Sequence, residues 1–441
     1  MLQIVRTDNN PVRSKSYPVP HALRECMKEE VEKMLELNVI EKSDSPYSSP
    51  LLMVRKKDGT NRPVVDYRRI NQITVFDAEP MPVAEDIYAR LAKAKYFSKM
   101  DFVKGYWQTP MAEQDKQKTA FSTPFGLYQF KRMPFGLQNA GATYGRMMRK
   151  VLEGLQASDN FVDDVLSFTS EWDNHLAELK QVFTRVRNAG LTVKPSKCYF
   201  GFLDVEFLGH LVGGGKLGTT ADKTERIATA LRPQTKRQLR AFLGLTGYYR
   251  RFVPDYAMMT APLTDLTKSK VPNKLDWGPA QESAFNILKK VLCSEPVLRL
   301  PDGDKEFILR TDACDVGIGA VLLQSHPDGV FPVAYLSRKL KKAEENYVVI
   351  ERECLAIVWA IGKLQTYLYG LSFVLQTDLR PLVHMDKAKM LNARVMRWAL
   401  ALQPFRYRME SIPGSDNVGA DYLSRTADAA SGSEEGKSGG L

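Results

Sequence analysis

Hydrophobic and polar positions along the chain follow two periods, and the segments that keep each period mark out the elements. After a Pro-rich, extended start with Pro11, Pro18 and Pro20, residues Leu23, Met27, Val31, Met34 and Leu35 recur at helical spacing opposite Glu29, Glu30 and Lys33, which predicts a helix. Residues 49–68 read as two strands joined by a turn at Asp58 and Gly59, with Arg55, Lys56, Lys57 and Arg62 around the tip. Residues 96–101 form a short strand that closes on Asp101, and the next turn presents Gly105, Tyr106 and Trp107. Turn-rich stretches follow at residues 124–126 and 133–141, where small residues and aromatics allow a backbone to approach a flat ligand. Residues 160–168 place Asp163 and Asp164 between two runs of β-branched and aromatic residues, the pattern of a tight hairpin with both carboxylates at its turn. Leu176, Leu179, Val182, Phe183 and Val186 mark a second helix that stops at Gly190. Residues 207–212 are β-rich and run into Gly213, Gly214 and Gly215, read as a hinge.

Beyond that point the pattern turns helical and basic over residues 220–270, with Arg226, Arg232, Lys236, Arg237, Arg240, Arg250 and Arg251 interleaved with Phe242, Tyr248, Tyr249 and Phe252. Such a mixture suits a nucleic acid, although a solvated basic face gives the same pattern. From residue 305 three strands, a long helix at about 344–368, a fourth strand ending at Asp378, a helix with Val395 and Trp398, a strand at 407–412 and a final short helix holding Asp421 give the order β-β-β-α-β-α-β-α.

Composition narrows the picture. A chain of 441 residues with 44% hydrophobic residues exceeds one core and predicts about three packed units. A formal charge of +11 favours an anionic polymer as partner. Five scattered cysteines, Cys26, Cys198, Cys293, Cys314 and Cys354, give neither a disulfide framework nor a metal spacing, and read as reduced residues of an intracellular protein. No uninterrupted apolar run is long enough to span a bilayer, and residues 1–6 do not read as a signal peptide.

The chemistry concentrates in two sets of acids. An Asp pair at a turn is most often an ordinary Asx turn, and a lone Asp at a strand end is most often a cap. The apolar arms change that balance, because two like charges held in a poorly solvated place require a proton or a cation between them. Asp101 is then the candidate third ligand for Asp163 and Asp164. In the last third, Asp312, Glu353, Asp378 and Asp421 come from separate elements, and oxygen-only donors of this kind suit hard divalent cations acting on a phosphodiester.

These stretches resemble the reverse transcriptases of long-terminal-repeat retrotransposons of the Ty3/gypsy class, as a fragment of a Pol polyprotein, and more distantly those of gammaretroviruses. The resemblance is carried by Val54 to Gly59, Val65-Asp66-Tyr67-Arg68, Met100-Asp101, Phe102 to Gln108, Met133 to Asn139, Phe161 to Asp164 and Phe207-Leu208-Gly209-His210. Residues 238–244 are similar to the family's thumb helix. Thr311-Asp312-Ala313, Glu351-Arg352-Glu353, Gln376-Thr377-Asp378 and residues 420–425 resemble the ribonuclease H domain of the same elements. It implies an α+β multidomain fold, a right-hand polymerase of fingers, palm and thumb followed by a ribonuclease H-like α/β domain. The expected parts are fingers and palm over 1–212, thumb over 213–270, a linker over 271–304, ribonuclease H over 305–426 and a disordered tail over 427–441.

The resemblance also implies roles. Asp101, Asp163 and Asp164 would bind two Mg2+ ions for nucleotidyl transfer, and Asp312, Glu353, Asp378 and Asp421 two more for hydrolysis of RNA, with Mn2+ as a substitute. Lys56 or Lys57, with Arg62, would grip a deoxynucleoside triphosphate. Tyr106 would press under its sugar, Phe102 would be a further substrate-binding residue, and Phe135, Gly136 and Gln138 would line the nucleotide and template side. Phe207, Leu208 and Gly209 would position the primer end, and Arg240, Gly244 and Tyr248 would track the minor groove. The implied partners are an RNA template, a DNA primer, the RNA·DNA hybrid, dNTPs and a tRNA or other RNA primer, for a monomer or homodimer without a membrane, in cytoplasmic virus-like particles or the nucleus. This chain departs from the family at Phe161, Gln138, Gly141, Tyr144 and Leu379, and it has no loop histidine before Asp421, so a reduced or differently assisted nuclease is expected. Two rival readings are a catalytically inactive, element-derived nucleic-acid-binding protein, against which stand all seven acids, and an RNA-dependent RNA polymerase, against which stands Tyr106.

Overall fold

A computed structural model describes the chain apart from residues 8–9, 56–58, 60, 81–82, 163, 295, 378–392 and 414–441. The chain divides into two compact units, residues 1–87 with 94–205, and residues 88–93 with those from 206 onward.

The first unit holds two sheets. Its five-stranded sheet has the order Ile40–Lys42, Gly126–Phe130, Phe121–Thr123, Ser49–Arg55, Asn61–Val65. The hairpin expected around Asp58 and Gly59 is present, with Arg55 opposite Asn61 and Val54 opposite Arg62. The helix His21–Glu36 buries Met27, Val31 and Met34, as its periodicity predicts.

The four-stranded sheet has the order Ser158–Phe161, Asp164–Thr169, Tyr96–Asp101, Tyr199–Phe202. Side chains alternate along these strands, so Ser98 and Met100 share one face with their cross-strand partners Ser167 and Val165, while Lys99 and Asp101 share the other with Leu166 and Asp164. Met100 and Val165 join a core with Tyr144, Met148 and Val182. Beside them lies a buried polar layer under the helix Trp172–Asn188. Ser98 Oγ meets His175 Nε2 at 2.7 Å, the Ser158 and Ser167 hydroxyls meet at 2.9 Å, and Ser158 Oγ donates to Glu178 Oε1 at 2.8 Å. Leaving any one of these buried groups unpaired costs about 1–3 kcal/mol, so the layer fixes the helix against this face of the sheet. The acids are thereby left on the opposite face.

The second unit begins with a sheet that contains the strands His210–Gly213, Lys216–Thr219 and Val297–Arg299. The glycine run expected as a hinge is instead the turn of a hairpin, with Gly213 paired to Lys216. Gly214 and Gly215 take φ of 56° and 70°, the left-handed values a two-residue primed turn requires, which explains why glycines stand there. The expected boundary at residue 213 thus falls inside a hairpin.

The basic region folds into the helices Ala221–Ala228 and Lys236–Tyr248. Thr235 and Gln238 cap the latter reciprocally: Gln238 N donates to Thr235 Oγ1 at 3.3 Å and Thr235 N to Gln238 Oε1 at 3.2 Å. The stretch expected as a linker is folded as well. It forms the helix Pro279–Cys293, with Pro279 in its first turn and Ala284, Phe285, Leu288 and Leu292 buried. Phe285 packs on Phe242 with ring centroids 4.6 Å apart.

The rest of this unit carries a five-stranded sheet ordered Gly329–Lys339, Gly317–His326, Phe307–Ala313, Ser372–Thr377, Arg406–Ser411. The first three strands pair antiparallel, and the last two add in parallel. Phe307 and Leu309 pack with Ile357 and Ile361 of the helix Val349–Lys363. The expected long helix ends earlier than the periodicity indicates, and a separate short turn, Gln365–Leu368, follows Leu364. No helix among the described residues is long and apolar enough to cross a membrane.

Candidate active sites

Asp101 is the last residue of its strand and Asp164 the first of the neighbouring one, and the register sets them directly opposite each other. Opposed residues place their Cβ atoms about 5 Å apart, so two carboxylates repel across this pair unless cations intervene. Two lysines supply the compensation. Lys197 Nζ lies 3.2 Å from Asp101 Oδ2 and Lys99 Nζ 3.1 Å from Asp164 Oδ2. Side-chain exposures of 28% for Asp101 and 26% for Asp164 leave both carboxylates open to a ligand. The loop between the two hairpin strands holds Val162 at φ 56°, a left-handed position that a β-branched residue adopts only when its surroundings enforce it. Asp163, the third expected ligand, lies outside the described residues, as do Lys56 and Lys57.

Tyr106 sits in a short 3-10 turn, Gly105–Gln108, entered through left-handed Lys104. Its ring packs on Phe135 at 5.0 Å and edge-on against Tyr144 at 5.3 Å. A Cβ on Gly105 would stand 2.8 Å from the Tyr144 hydroxyl, so only glycine lets this turn reach the tyrosine. The loop of Phe135, Gly136 and Gln138 is held from behind by Asn71, which donates to Gly136 O at 2.8 Å and accepts from Gln138 N at 2.9 Å. Phe135, Gly136 and Gln138 are exposed, as is Arg62 on the five-stranded sheet. The ring of Phe102, expected to bind substrate, is instead 4% exposed within the core, so its backbone alone is available for that.

In the second unit Asp312 stands opposite Gly319, and Glu353, 3% exposed, comes in from the covering helix. Glu353 Oε1 accepts from Ala313 N at 3.2 Å, which ties the helix to the end of the Asp312 strand. Asp378 and Asp421 lie outside the described residues. A further acid, Asp255, was not anticipated. It is 8% exposed, and its Oδ1 occupies the space beside Gly319, 2.6 Å from where a Cβ would be. Burial and then the charge of Asp312 push the Asp255 carboxyl up to about 7. Among the described residues no three acids, histidines or cysteines gather into a metal cage. Among the described residues each site presents carboxylate oxygens, donors that fit a hard divalent cation.

The remaining expected residues lie around the start of the second unit. Phe207 is fully buried and anchors the turn at Leu208 and Gly209, so its ring is not available to a primer. Arg240, Gly244 and Tyr248 are all exposed and four residues apart on one helix, hence on one face.

Residues 54–212 match a family model described as reverse transcriptase (RNA-dependent DNA polymerase), and residues 302–405 match one described as the RNase H-like domain found in reverse transcriptase. The chain is 38% identical over 427 residues to the retrovirus-related Pol polyprotein from transposon 297 of Drosophila melanogaster, across 95% of this chain and 40% of that protein. It is 37% identical to the corresponding polyprotein from transposon gypsy of the same organism, across 96% and 42%, and 32% identical to the transposon Tf2-3 polyprotein of Schizosaccharomyces pombe, across 96% and 32%. The chain belongs to the reverse transcriptases of gypsy-class retrotransposons. It spans about two fifths of the length of the Drosophila polyproteins it matches. Its fold is that of a foamy viral protease-reverse transcriptase, with a TM-score of 0.83 to the form solved with double-stranded DNA and 0.81 to the form solved with an RNA/DNA hybrid. Identity to both is 22%, and the matches cover 93% of this chain and 75% and 56% of those chains.

In this reverse transcriptase His210 ends the Phe207-Leu208-Gly209-His210 stretch, 6% exposed. Burial, with help from Arg251 and Lys223, lowers its imidazole to about 4 against the usual 6.5. A group whose folded value is depressed contributes stability that is complete above its unfolded value and is lost as the pH falls toward the folded one. The urea midpoint of the wild type is therefore expected to fall between pH 6.5 and 4 more steeply than that of His210→Asn, with a difference on the order of 3 kcal/mol across the window. Asp255 titrates in the opposite sense over the same range, but it is common to both proteins and cancels. Parallel slopes for the two proteins would place a charged imidazole in the native state.

Proposed function

We propose that this chain copies RNA, and then DNA, into DNA at the Asp101 site and degrades the RNA strand of the resulting hybrid at the Asp312 site, in the replication of a retrotransposon. The observation that carries this reading is the opposed pair Asp101 and Asp164, presented at adjacent strand ends on the face away from the helix. Asp101, Asp163 and Asp164 in one site, and Asp312, Glu353, Asp378 and Asp421 in the other, would hold Mg2+, or Mn2+ as a substitute. Two such ions, when bound, supply Lewis-acid stabilisation of charge on the reacting phosphate and make the attacking oxygen a better nucleophile.

The chain's own groups supply binding and exclusion. Arg62, with Lys56 or Lys57, would supply the cations that a triphosphate needs. Lys99 and Lys197 neutralise the carboxylates before a nucleotide enters. Tyr106, braced by Phe135 and Tyr144, forms a floor too close for a 2′-hydroxyl. Arg240, Gly244 and Tyr248 offer one exposed face of the helix to the duplex. The foamy viral enzymes solved with double-stranded DNA and with an RNA/DNA hybrid support duplex partners of both kinds. Template RNA, a DNA or RNA primer and dNTPs complete the set, in cytoplasmic virus-like particles or the nucleus, as monomer or homodimer.

Substitution of Tyr106 tests the pocket. Tyr106→Ala is expected to lower discrimination against ribonucleotides by about ten- to a hundred-fold, the range a single steric contact provides. Relative kcat/KM for dNTP and NTP on one primer and RNA template measures it. Unchanged discrimination would remove the gate from this tyrosine.

A further inference from the structure

The turn at Leu208 and Gly209 joins the strands Asp204–Phe207 and His210–Gly213, and both of its residues are left-handed, at φ 48° and 69°. Such a turn leaves its two carbonyls pointing outward with no ladder partner, and here each is taken by a side chain. The Tyr248 hydroxyl donates to Leu208 O, and the Tyr249 hydroxyl donates to Gly209 O at 2.8 Å. Lys223 Nζ donates to Gly209 O as well, at 3.4 Å, and lies 4.1 Å from the Tyr248 ring centroid. Space at the turn is filled: a Cβ on Gly209 would collide with the Lys223 ammonium and stand 3.1 Å from the Tyr248 hydroxyl.

Beneath the turn His210 serves as a platform. Its ring stacks on Tyr248 at 5.1 Å and on Phe252 at 5.6 Å, and meets Tyr249 edge-on at 5.5 Å. Tyr88 Oη lies 3.0 Å from its Nδ1, while its buried Nε2 has no hydrogen-bond partner. Tyr248 and Tyr249 close the helix Lys236–Tyr248, the same helix whose exposed face carries Arg240 and Gly244. One helix end therefore grips the turn while the helix side faces outward.

We infer that Tyr248, Tyr249 and Lys223 are positioning residues that lock the Leu208 and Gly209 turn to the end of this helix, so that primer terminus and duplex are held by a single rigid piece. The inference rests on the reading that this turn contacts the primer. Tyr249 is the informative position, because it is fully buried and cannot itself touch nucleic acid. Loss of its hydroxyl loosens the turn and leaves the helix face intact.

The test compares Tyr249→Phe with Tyr256→Phe in the full chain. Tyr256 is a neighbouring phenol whose hydroxyl bonds to Thr246 at 2.9 Å, away from the turn. Tyr249→Phe is expected to lower kcat for addition of one deoxynucleotide about five- to tenfold, the scale of one hydrogen bond. KM for dNTP, affinity for a primer and template hybrid, and cleavage of its RNA strand are expected to stay unchanged. Amide exchange of peptides covering residues 206–211 is expected to speed up in Tyr249→Phe and not in Tyr256→Phe, a readout that requires no polymerisation. Wild-type exchange rates in Tyr249→Phe, or equal loss of kcat in both variants, would overturn the inference. A wild-type chain that fails to extend the primer would instead count against the proposed function, with the exchange result still deciding whether the turn is locked.

Discussion

Asp101→Asn is expected to abolish DNA synthesis while hybrid binding and RNA cleavage continue. Asparagine keeps the shape of the strand end and its backbone pairing, so the opposed register with Asp164 survives. What changes is charge. Lys197 and Lys99, which the two carboxylates now balance, would face Asp164 alone and turn the local field positive, repelling the cation that must bind. Loss of the anionic carboxylate ligand removes several kcal/mol of transition-state stabilisation, which corresponds to a loss of about a thousandfold or more in single-nucleotide addition. Stability should hardly move, since half-exposed ion pairs of this kind contribute about 0–1 kcal/mol. Rapid-quench addition of one dNTP, set beside the cleavage rate of a labelled hybrid, measures both activities. Parallel loss of the two would show that the acids do not form separate sites.

The complementary loss is expected from Glu353→Gln. The amide oxygen of glutamine can still accept from Ala313 N, so the helix stays tied to the Asp312 strand. Glu353 is almost fully buried, and Cys354 beside it reports the setting, its thiol pushed up to about 12 by burial, with Glu353 and Glu351 adding. The amide is isosteric with the carboxylate and keeps the hydrogen bond from Ala313 N, so the change in melting temperature should be small beside the change in cleavage. Cleavage of the RNA strand, in contrast, should drop about a thousandfold or more for lack of the anionic carboxylate ligand. Primer extension should proceed at the wild-type rate and leave an intact RNA template paired to the product. Residual cleavage above a tenth of wild type would take Glu353 out of the metal-binding set.

What the sequence made legible followed from period and turn chemistry. Alternation around Asp58 and Gly59, and again around Asp163 and Asp164, is local, and both hairpins formed where the alternation placed them. The strands beginning at Phe307, Gly317 and Ser372 were legible for the same reason. Three glycines in succession read as freedom, whereas Gly214 and Gly215 are spent on left-handed angles that close a hairpin. The helix Pro279–Cys293 carries a visible signature, Pro279 followed by Phe285, Leu288 and Leu292 on one face, inside the stretch expected as a linker.

Other features left no local trace. Asn71 holds a loop 65 residues away, and Asp255 reaches the Asp312 strand from 57 residues upstream. Lys197 meets Asp101 across 96 residues. Each is an ordinary polar residue in its own neighbourhood and acquires its part only when the fold supplies the partner. Phe102 and Phe207 differ in the other direction, because a motif marks a stretch of chain and does not say which way each ring points, and both rings face the core.

Extension of a labelled DNA primer on an RNA template by the unmodified chain in Mg2+, with product and template strands carrying separate labels, tests the two-site reading most directly. The primer is expected to lengthen with dNTPs and not with NTPs, and the template to shorten behind it. A primer that stays at its starting length with every nucleotide, or one that grows equally well with NTPs, would contradict it.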